Sequence, residues 1–473
     1  MAVFSLRIYV IVAVLMGSGL VVSAQPNVLF IAVDDLNNMV GFLGGYPGVK
    51  TPHMDRLASM GVSFSNAHCA APGCNPSRVS VMTGRYPSST GIYENQVDWR
   101  RFPDVFDLQT LPEIFRKNGY KVIGGGKLYH AHSLNIRAYT GFFDSEPWDE
   151  YFPSKEAQMT REVKPGTWPM NGIKRFYRGH FDWAPLEIED DDMADGKLIR
   201  WAEEQLSREH EKPLFIGVGI YRPHVPWWSP KKYFDQHPLE EIVLPPVPED
   251  DFEDIPPTGN EWARKHWQAW VVENNQWKKA VQGYLASMTF ADAMVGRLMK
   301  ALENGPLAEN TLIVLWSDHG YHLGHKQHWE KFVLWNQATQ VPLIFVDPRH
   351  GTAGAVTNQP ASLVDIYPTL VDLCDLKDAP RLDGQSLLPL IRNPALKTGR
   401  AVLTTHKFRN HSVRTVDWHY IRYADGSEEL YNPQNDPDEF RNLAELPEFS
   451  AVKQNLSGML PDTNADPKPR TGL

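Results

Sequence analysis

Cys74 begins the run Cys74-Asn75-Pro76-Ser77-Arg78, and the stretch that follows closes at Gly84. Asn75 is expected to cap a helix there, with Pro76 in its first turn. A helix start gathers free backbone N–H groups and positive dipole, a natural seat for an anion. Arg78 lies one turn in and keeps its charge at any ordinary pH. A thiolate in such a place is reactive, so the run alone also fits a cysteine hydrolase. A Cys69–Cys74 disulfide is the plainer alternative; with Cys374 these are the cysteines of the chain, too few for a disulfide framework.

Carboxylates and imidazoles recur where apolar runs stop. Asp34-Asp35 ends one run and Asp318-His319-Gly320 ends another. Each alone reads equally well as a turn or a cap. Together they supply three carboxylates and a ring nitrogen, a set that suits a divalent cation. Oxygen donors favour Ca²⁺ or Mg²⁺, whereas the imidazole favours a softer metal. Lys127 and His130 follow the apolar run near Val122, and Arg222-Pro223-His224 ends the run that starts at Leu214. His322, His325 and His328 raise the question of zinc, but no Cys or Glu stands at ligand spacing, and the run is read as a substrate-facing loop.

The elements that must position these groups can be read from periodicity. NVLFIAV, YKVIGG, PLFIGVGI, TLIVLWS and VPLIFV are short continuous apolar runs, the pattern of strands buried on both faces. Helical stretches alternate with them: the start of TPHMDRLASMGVSF before a return strand, 108–118, 198–206, 262–302 and the segment SLVDIYPTLVDLCDL. This predicts an α/β fold, a mostly parallel sheet between helices, with the polar strand ends gathered at one rim. From about 400 the pattern turns to short alternating strands and a last helix, expected as a C-terminal α+β subdomain with an antiparallel sheet. The expected division is a leader at 1–24, a catalytic domain at 25–393 and the subdomain at 394–473.

The leader has one charge, Arg7, then an apolar run and Val22-Ser23-Ala24, the pattern of a secretory signal peptide cut near Ala24. No cysteine stands at the cut, so a lipoprotein anchor is not expected, and no membrane anchor follows later. The chain is therefore expected to be periplasmic or secreted. A formal net charge of −10 argues against nucleic acid or an anionic lipid surface as partner.

Cys74-Asn75-Pro76-Ser77-Arg78, with Thr83-Gly84-Arg85 behind it, resembles the signature of the type I sulfatases. The order Asp-Asp, signature, Gly-Lys-Leu-Tyr-His, Arg-Pro-His, Asp-His-Gly and Leu-Asp-Gly-Gln-Ser-Leu extends the resemblance over nearly the whole mature chain. Asp-His-Gly, YRPHVPW and HWEKFVLWNQATQVPLIF look closest to the branch containing iduronate-2-sulfatase and its bacterial relatives. Arg222 departs from that branch, which has lysine there.

The resemblance implies an alkaline-phosphatase-like fold and a formylglycine at position 74, made from the cysteine by a separate maturation enzyme. It implies Ca²⁺ held by Asp34, Asp35, Asp318 and His319 beside residue 74. Arg78 would hold the formylglycine hydrate and Lys127 the sulfate. His130 would take a proton from the hydrate, His224 would protonate the leaving oxygen, and Lys331 would stand on the sulfate or leaving-group side. Arg222 and His180 are carried as substrate contacts, with Arg409 as a further candidate. Trp148, Trp168, Trp183, Trp227, Trp228 and Trp329 are expected in loops as stacking faces for sugar. The expected substrate is a sulfated oligosaccharide or polysaccharide, attacked from its end at a 2-O-sulfated uronic acid or similar sugar. The alternatives are a phosphonate or phosphate monoester hydrolase, an aryl or choline sulfatase, and a sulfated-glycan binding protein never converted at Cys74.

Overall fold

The computed structural model describes residues 25–131, 142–160, 162–163, 167–172, 180–349 and 352–471. The expected leader at 1–24 lies outside them. β1 (Asn27–Val33) is central in an eight-stranded sheet. The other strands are β2 (Val62–Phe64), β3 (Lys121–Gly126), β4 (Glu150–Phe152), β5 (Leu214–Ile220), β6 (Thr311–Ser317), β7 (Leu343–Val346) and β8 (Ala355–Thr357). Their order is β8-β2-β7-β6-β1-β5-β3-β4. β1 runs parallel to β5 and β6, and β3 runs parallel to β4 and β5. Only β7 is reversed, antiparallel to both β2 and β6.

The continuous apolar runs are explained by burial on both faces. Leu29, Ile31 and Val33 join one core, whereas Val28, Phe30 and Ala32 join the other. Each of these valine, leucine, isoleucine and phenylalanine side chains contributes about 1.5–3 kcal/mol on burial. The first core is closed by α1 (Pro52–Met60), α3 (Ala194–Leu206) and α5 (Trp277–Glu303). The second is closed by α2 (Cys74–Thr83) and α6 (Ile366–Cys374). The expected helix at 262–302 is interrupted: α4 covers Lys265–Glu273, and left-handed Asn275 (φ 54°) separates it from α5.

A second sheet holds β9 (Val402–Thr405), β10 (His411–Arg414), β11 (His419–Arg422) and β12 (Glu428–Tyr431), all antiparallel in chain order, with α7 (Ser450–Ser457) behind it. It is tied to the first: Thr405 N–H donates to Ala70 O at 2.9 Å, and Trp335 Nε1 donates to Glu429 Oε2 at 2.8 Å. The tail then returns to the larger unit, where Ala465 N–H donates to Ser88 O and Thr471 N–H to Gln96 O.

Candidate active site

The carboxyl ends of β1, β3, β5 and β6 meet at one rim, and α2 starts beneath it. Gly73 precedes the first turn in extended backbone, and Gly84 (φ 65°) ends α2 in the left-handed conformation that suits glycine. The whole helix is buried. Asn75 lies inside the first turn and is not its cap. Its side-chain amide donates instead to Glu94 O at 3.1 Å and Val97 O at 2.8 Å, anchoring the neighbouring loop.

Close backbone approach sets Lys127. Its N–H donates to Gly219 O at 2.8 Å, and a Cβ on Gly219 would come within 2.3 Å of the Lys127 carbonyl carbon. From there Lys127 Nζ pairs with Asp34 and reaches Cys74 Sγ at 3.8 Å. Lys331 arrives from the opposite side, with Nζ 2.5 Å from Asp35 Oδ1 and 3.2 Å from Cys74 Sγ. Its neighbours Glu330 (φ 80°) and Phe332 (φ 72°) are both left-handed, a costly backbone that surrounding contacts must hold. His328 supplies two of them: its Nδ1 accepts from Arg264 N–H at 3.0 Å, and its Nε2–H donates to Lys331 O at 2.9 Å.

Arg78 braces the carboxylates from below. Its guanidinium donates to Asp318 Oδ2 at 2.8 Å, to Asp34 Oδ1 at 3.1 Å and to Lys127 O. Ser77 Oγ donates to Asp318 O at 2.5 Å. His319 Nε2 lies 3.3 Å from Cys74 Sγ, and its Nδ1 lies 3.4 Å from Asp35 Oδ1. Asp35 is itself left-handed (φ 59°), and its carbonyl accepts from Tyr284 Oη at 2.8 Å.

His130 lies within electrostatic reach of Cys74, and burial lowers its pKa against the pull of that residue. His224 Nδ1 donates to Val225 O at 2.7 Å, with Tyr221 Oη at 2.9 Å, so Nε2 faces the site 3.9 Å from Asp35 Oδ2. Burial and Lys127 lower the His224 pKa, against the pull of Asp35.

Burial alone would raise the Cys74 thiol. Lys127, Lys331 and His319 outweigh it and hold the thiol well below its ordinary pKa. Burial also works to raise all three carboxyls. Lys127, helped by His224 and Arg78, overturns it at Asp34, which is held far below the usual range. Asp35 and Asp318 stay raised by burial despite Lys331 and Arg78.

Asp34, Asp35, Cys74 and His319 each offer a donor atom, all within 4.8 Å of one another. Asp35 Oδ2 is buried without a hydrogen-bond partner. Crowded buried carboxylates with an open oxygen fit a cation. Asp318 stands outside this tight set, its carboxylate taken by Arg78 and by Asp35 N–H at 3.2 Å.

Other sequence expectations are corrected. All three cysteines are free and buried, so Cys69 and Cys74 form no disulfide. Arg222 is buried, with its guanidinium 3.5 Å from Glu162, its Nε on Trp228 O at 2.9 Å and its charge over the Tyr221 ring. His322, His325 and His328 form a packed imidazole group, not a substrate loop, with the His322 and His328 rings 4.9 Å apart. Burial keeps all three neutral. Trp148, Trp183, Trp227, Trp228 and Trp329 are core residues rather than stacking faces. Trp168 is 40% exposed and has His180 beside it, ring centres 6.5 Å apart. Arg409 is exposed at the tip between β9 and β10. Sequence reasoning missed Tyr221 and Tyr284 and gave Ser77 and His328 no holding role, although all four brace residues of the cluster.

This chain belongs to the Sulfatase family, which it matches over residues 26–376, and it is a sulfuric ester hydrolase with the alkaline-phosphatase-like fold. Residues 324–466 further match the family described as N-sulphoglucosamine sulphohydrolase, C-terminal. A sulfatase of Formosa agariphila is 40% identical over 456 residues, covering 93% of this chain and 87% of its own. Human iduronate 2-sulfatase is 31% identical over 423 residues, covering 81% of this chain and 74% of its own. The solved phosphonate monoester hydrolase of Silicibacter pomeroyi shares the fold, with a TM-score of 0.75 at 22% identity over 92% of this chain and 94% of that one.

Proposed function

We propose that the protein is an exported carbohydrate sulfatase that removes sulfate from a 2-O-sulfated uronic acid, or a similar sugar, at the end of a glycan. One observation carries this reading: Lys127, Lys331 and His319 converge on the Sγ of Cys74 at 3.8, 3.2 and 3.3 Å in a buried site. A sulfate group attacked at that point would meet two ammonium groups at its oxygens. The sulfur stands where one oxygen of a formylglycine hydrate would lie after a maturation enzyme has acted. Such a hydrate supplies a hydroxyl to attack sulfur and a second hydroxyl whose deprotonation releases sulfate and restores the aldehyde.

The surrounding residues then have distinct tasks. Arg78 fixes Asp34 and Asp318 and so fixes the floor under residue 74. Lys127 and Lys331 neutralise the sulfate oxygens. His130, held neutral by burial, accepts the proton of the second hydroxyl. His224 presents Nε2 to the leaving sugar oxygen; donation needs the imidazolium form, which Asp35 favours. Asp34, Asp35 and His319, with Asp318 behind them, would hold Ca²⁺, which when bound lowers the pKa of the hydrate. The kinship to human iduronate 2-sulfatase supports the choice of sugar.

The test is sulfate release from a panel of sulfated disaccharides, using protein shown by peptide mass to carry formylglycine at 74, with Cys74→Ala as blank. Release confined to the 2-O-sulfated uronic acid supports the reading. Release from another sugar keeps the chemistry and removes this substrate. Turnover of phosphonate or phosphate monoesters alone would replace the reading.

A further inference from the structure

A cleft of about 530 Å³ opens beside the first turn of α2, where Gly73 and Pro76 flank the nucleophile position and Phe332 follows Lys331. Its other walls come from distant parts of the chain: Trp262 and Arg264 before α4, and His406 and Lys407 at the tip between β9 and β10. That volume lies within the range of small-ligand sites. Trp262 and Phe332, both partly exposed, supply flat apolar faces.

Most charges around the cleft are already matched. Arg264 pairs with Glu330 at 2.5 Å, and Arg470 pairs with Glu94. Lys407 is different. It is exposed, its Nζ stands 4.8 Å over the Trp262 ring, and it makes no ion pair among the described residues. The loop spends backbone energy to present it, since Lys407 (φ 58°) and Arg409 (φ 65°) are both left-handed without being glycine. Glu261, exposed on another wall, can accept hydrogen bonds from hydroxyls.

We propose that this cleft holds an acidic sugar residue linked to, and distinct from, the one that carries the scissile sulfate, with its carboxylate on Lys407, its hydroxyls toward Glu261 and its ring against Trp262 or Phe332. The inference rests on the carbohydrate reading above and deepens it: the preferred substrate is an oligosaccharide carrying a second anionic group next to the sulfated end. Lys407 is the specificity residue, since a hydrogen bond to a charged group is worth about tenfold in binding.

The experiment compares sulfate release from a sulfated disaccharide whose neighbouring sugar is a uronate with release from the same disaccharide carboxyl-reduced at that sugar. The converted wild-type enzyme should favour the uronate by roughly tenfold in kcat/KM, mainly through KM. Lys407→Asn, chosen because asparagine tolerates the left-handed backbone, should bring the ratio close to one, and Lys407→Arg should restore most of it. An unchanged ratio in Lys407→Asn, or a wild-type enzyme indifferent to the carboxylate, overturns the proposal. No release by wild type from either disaccharide, with turnover of a small aryl sulfate, would overturn the carbohydrate reading itself and the cleft assignment with it.

Discussion

Acid should cost this fold stability through His328. Both of its ring nitrogens are used in the neutral form, Nδ1 as acceptor from Arg264 and Nε2–H as donor to Lys331. A second proton would sit on Nδ1 and break the first bond. Burial, aided by the Arg264 charge, moves its pKa from 6.5 to about 3. That difference corresponds to about 5 kcal/mol between the two protonation states. The sign follows from proton counting. Below pH 6.5 the unfolded chain binds a proton at this residue and the native chain does not, so stability is full above 6.5 and falls by about 1.4 kcal/mol per pH unit until about pH 3. Against a total of about 5–15 kcal/mol, that is a large share for one side chain. His328→Gln can keep an acceptor for Arg264 and a donor for Lys331 but has no proton to bind. Denaturant unfolding at pH 5 to 8 should therefore show two curves that run together above pH 6.5 and differ in slope by one proton below it, about 2 kcal/mol by pH 5. Parallel dependences over the whole range would refute the reasoning.

Other substitutions probe the floor of the site. Arg78→Lys cannot reach Asp34, Asp318 and the Lys127 carbonyl together, and should cost about 3–5 kcal/mol, read as a lower denaturant midpoint. Adding Ca²⁺ at about 100 times its dissociation constant should stabilise the wild type by about 2.7 kcal/mol in thermal unfolding, reversed by a chelator, and Asp35→Asn should remove the response; a wild type indifferent to Ca²⁺ would exclude this donor set as a calcium seat.

The residues that cluster at the candidate site were legible because several sit where an unbroken apolar run meets a polar pair, the local mark of a strand end at the rim of a parallel sheet. Asp34-Asp35 and Asp318-His319 carry that mark fully. The reversal of β7 was not legible, since VPLIFV is buried on both faces whichever way it runs. The tryptophans misled for a related reason. The segments joining strands at this rim are thick enough to form core of their own, so Trp227 and Trp329 lie in a sequence that reads as loop yet are fully buried. Asn75 misled because Gly73 already provides the extended residue before the helix. The cleft left no sequence signal: Trp262, Phe332 and Lys407 are neighbours only after folding.

The helix that opens at Cys74 is buried along its length, and residue 74 is 1% exposed. Under the proposed function, a maturation enzyme would have to take this stretch of polypeptide into its own cleft, which the burial of α2 opposes once the chain has folded. On that reading, conversion of Cys74 is expected before folding, on a chain still extended. Folding would then seal the outcome, and a molecule that folds with its thiol intact is expected to keep it. Specific activity would then record a race between maturation and folding, and slowing the folding of the nascent chain should raise the active fraction without altering the turnover of each active molecule.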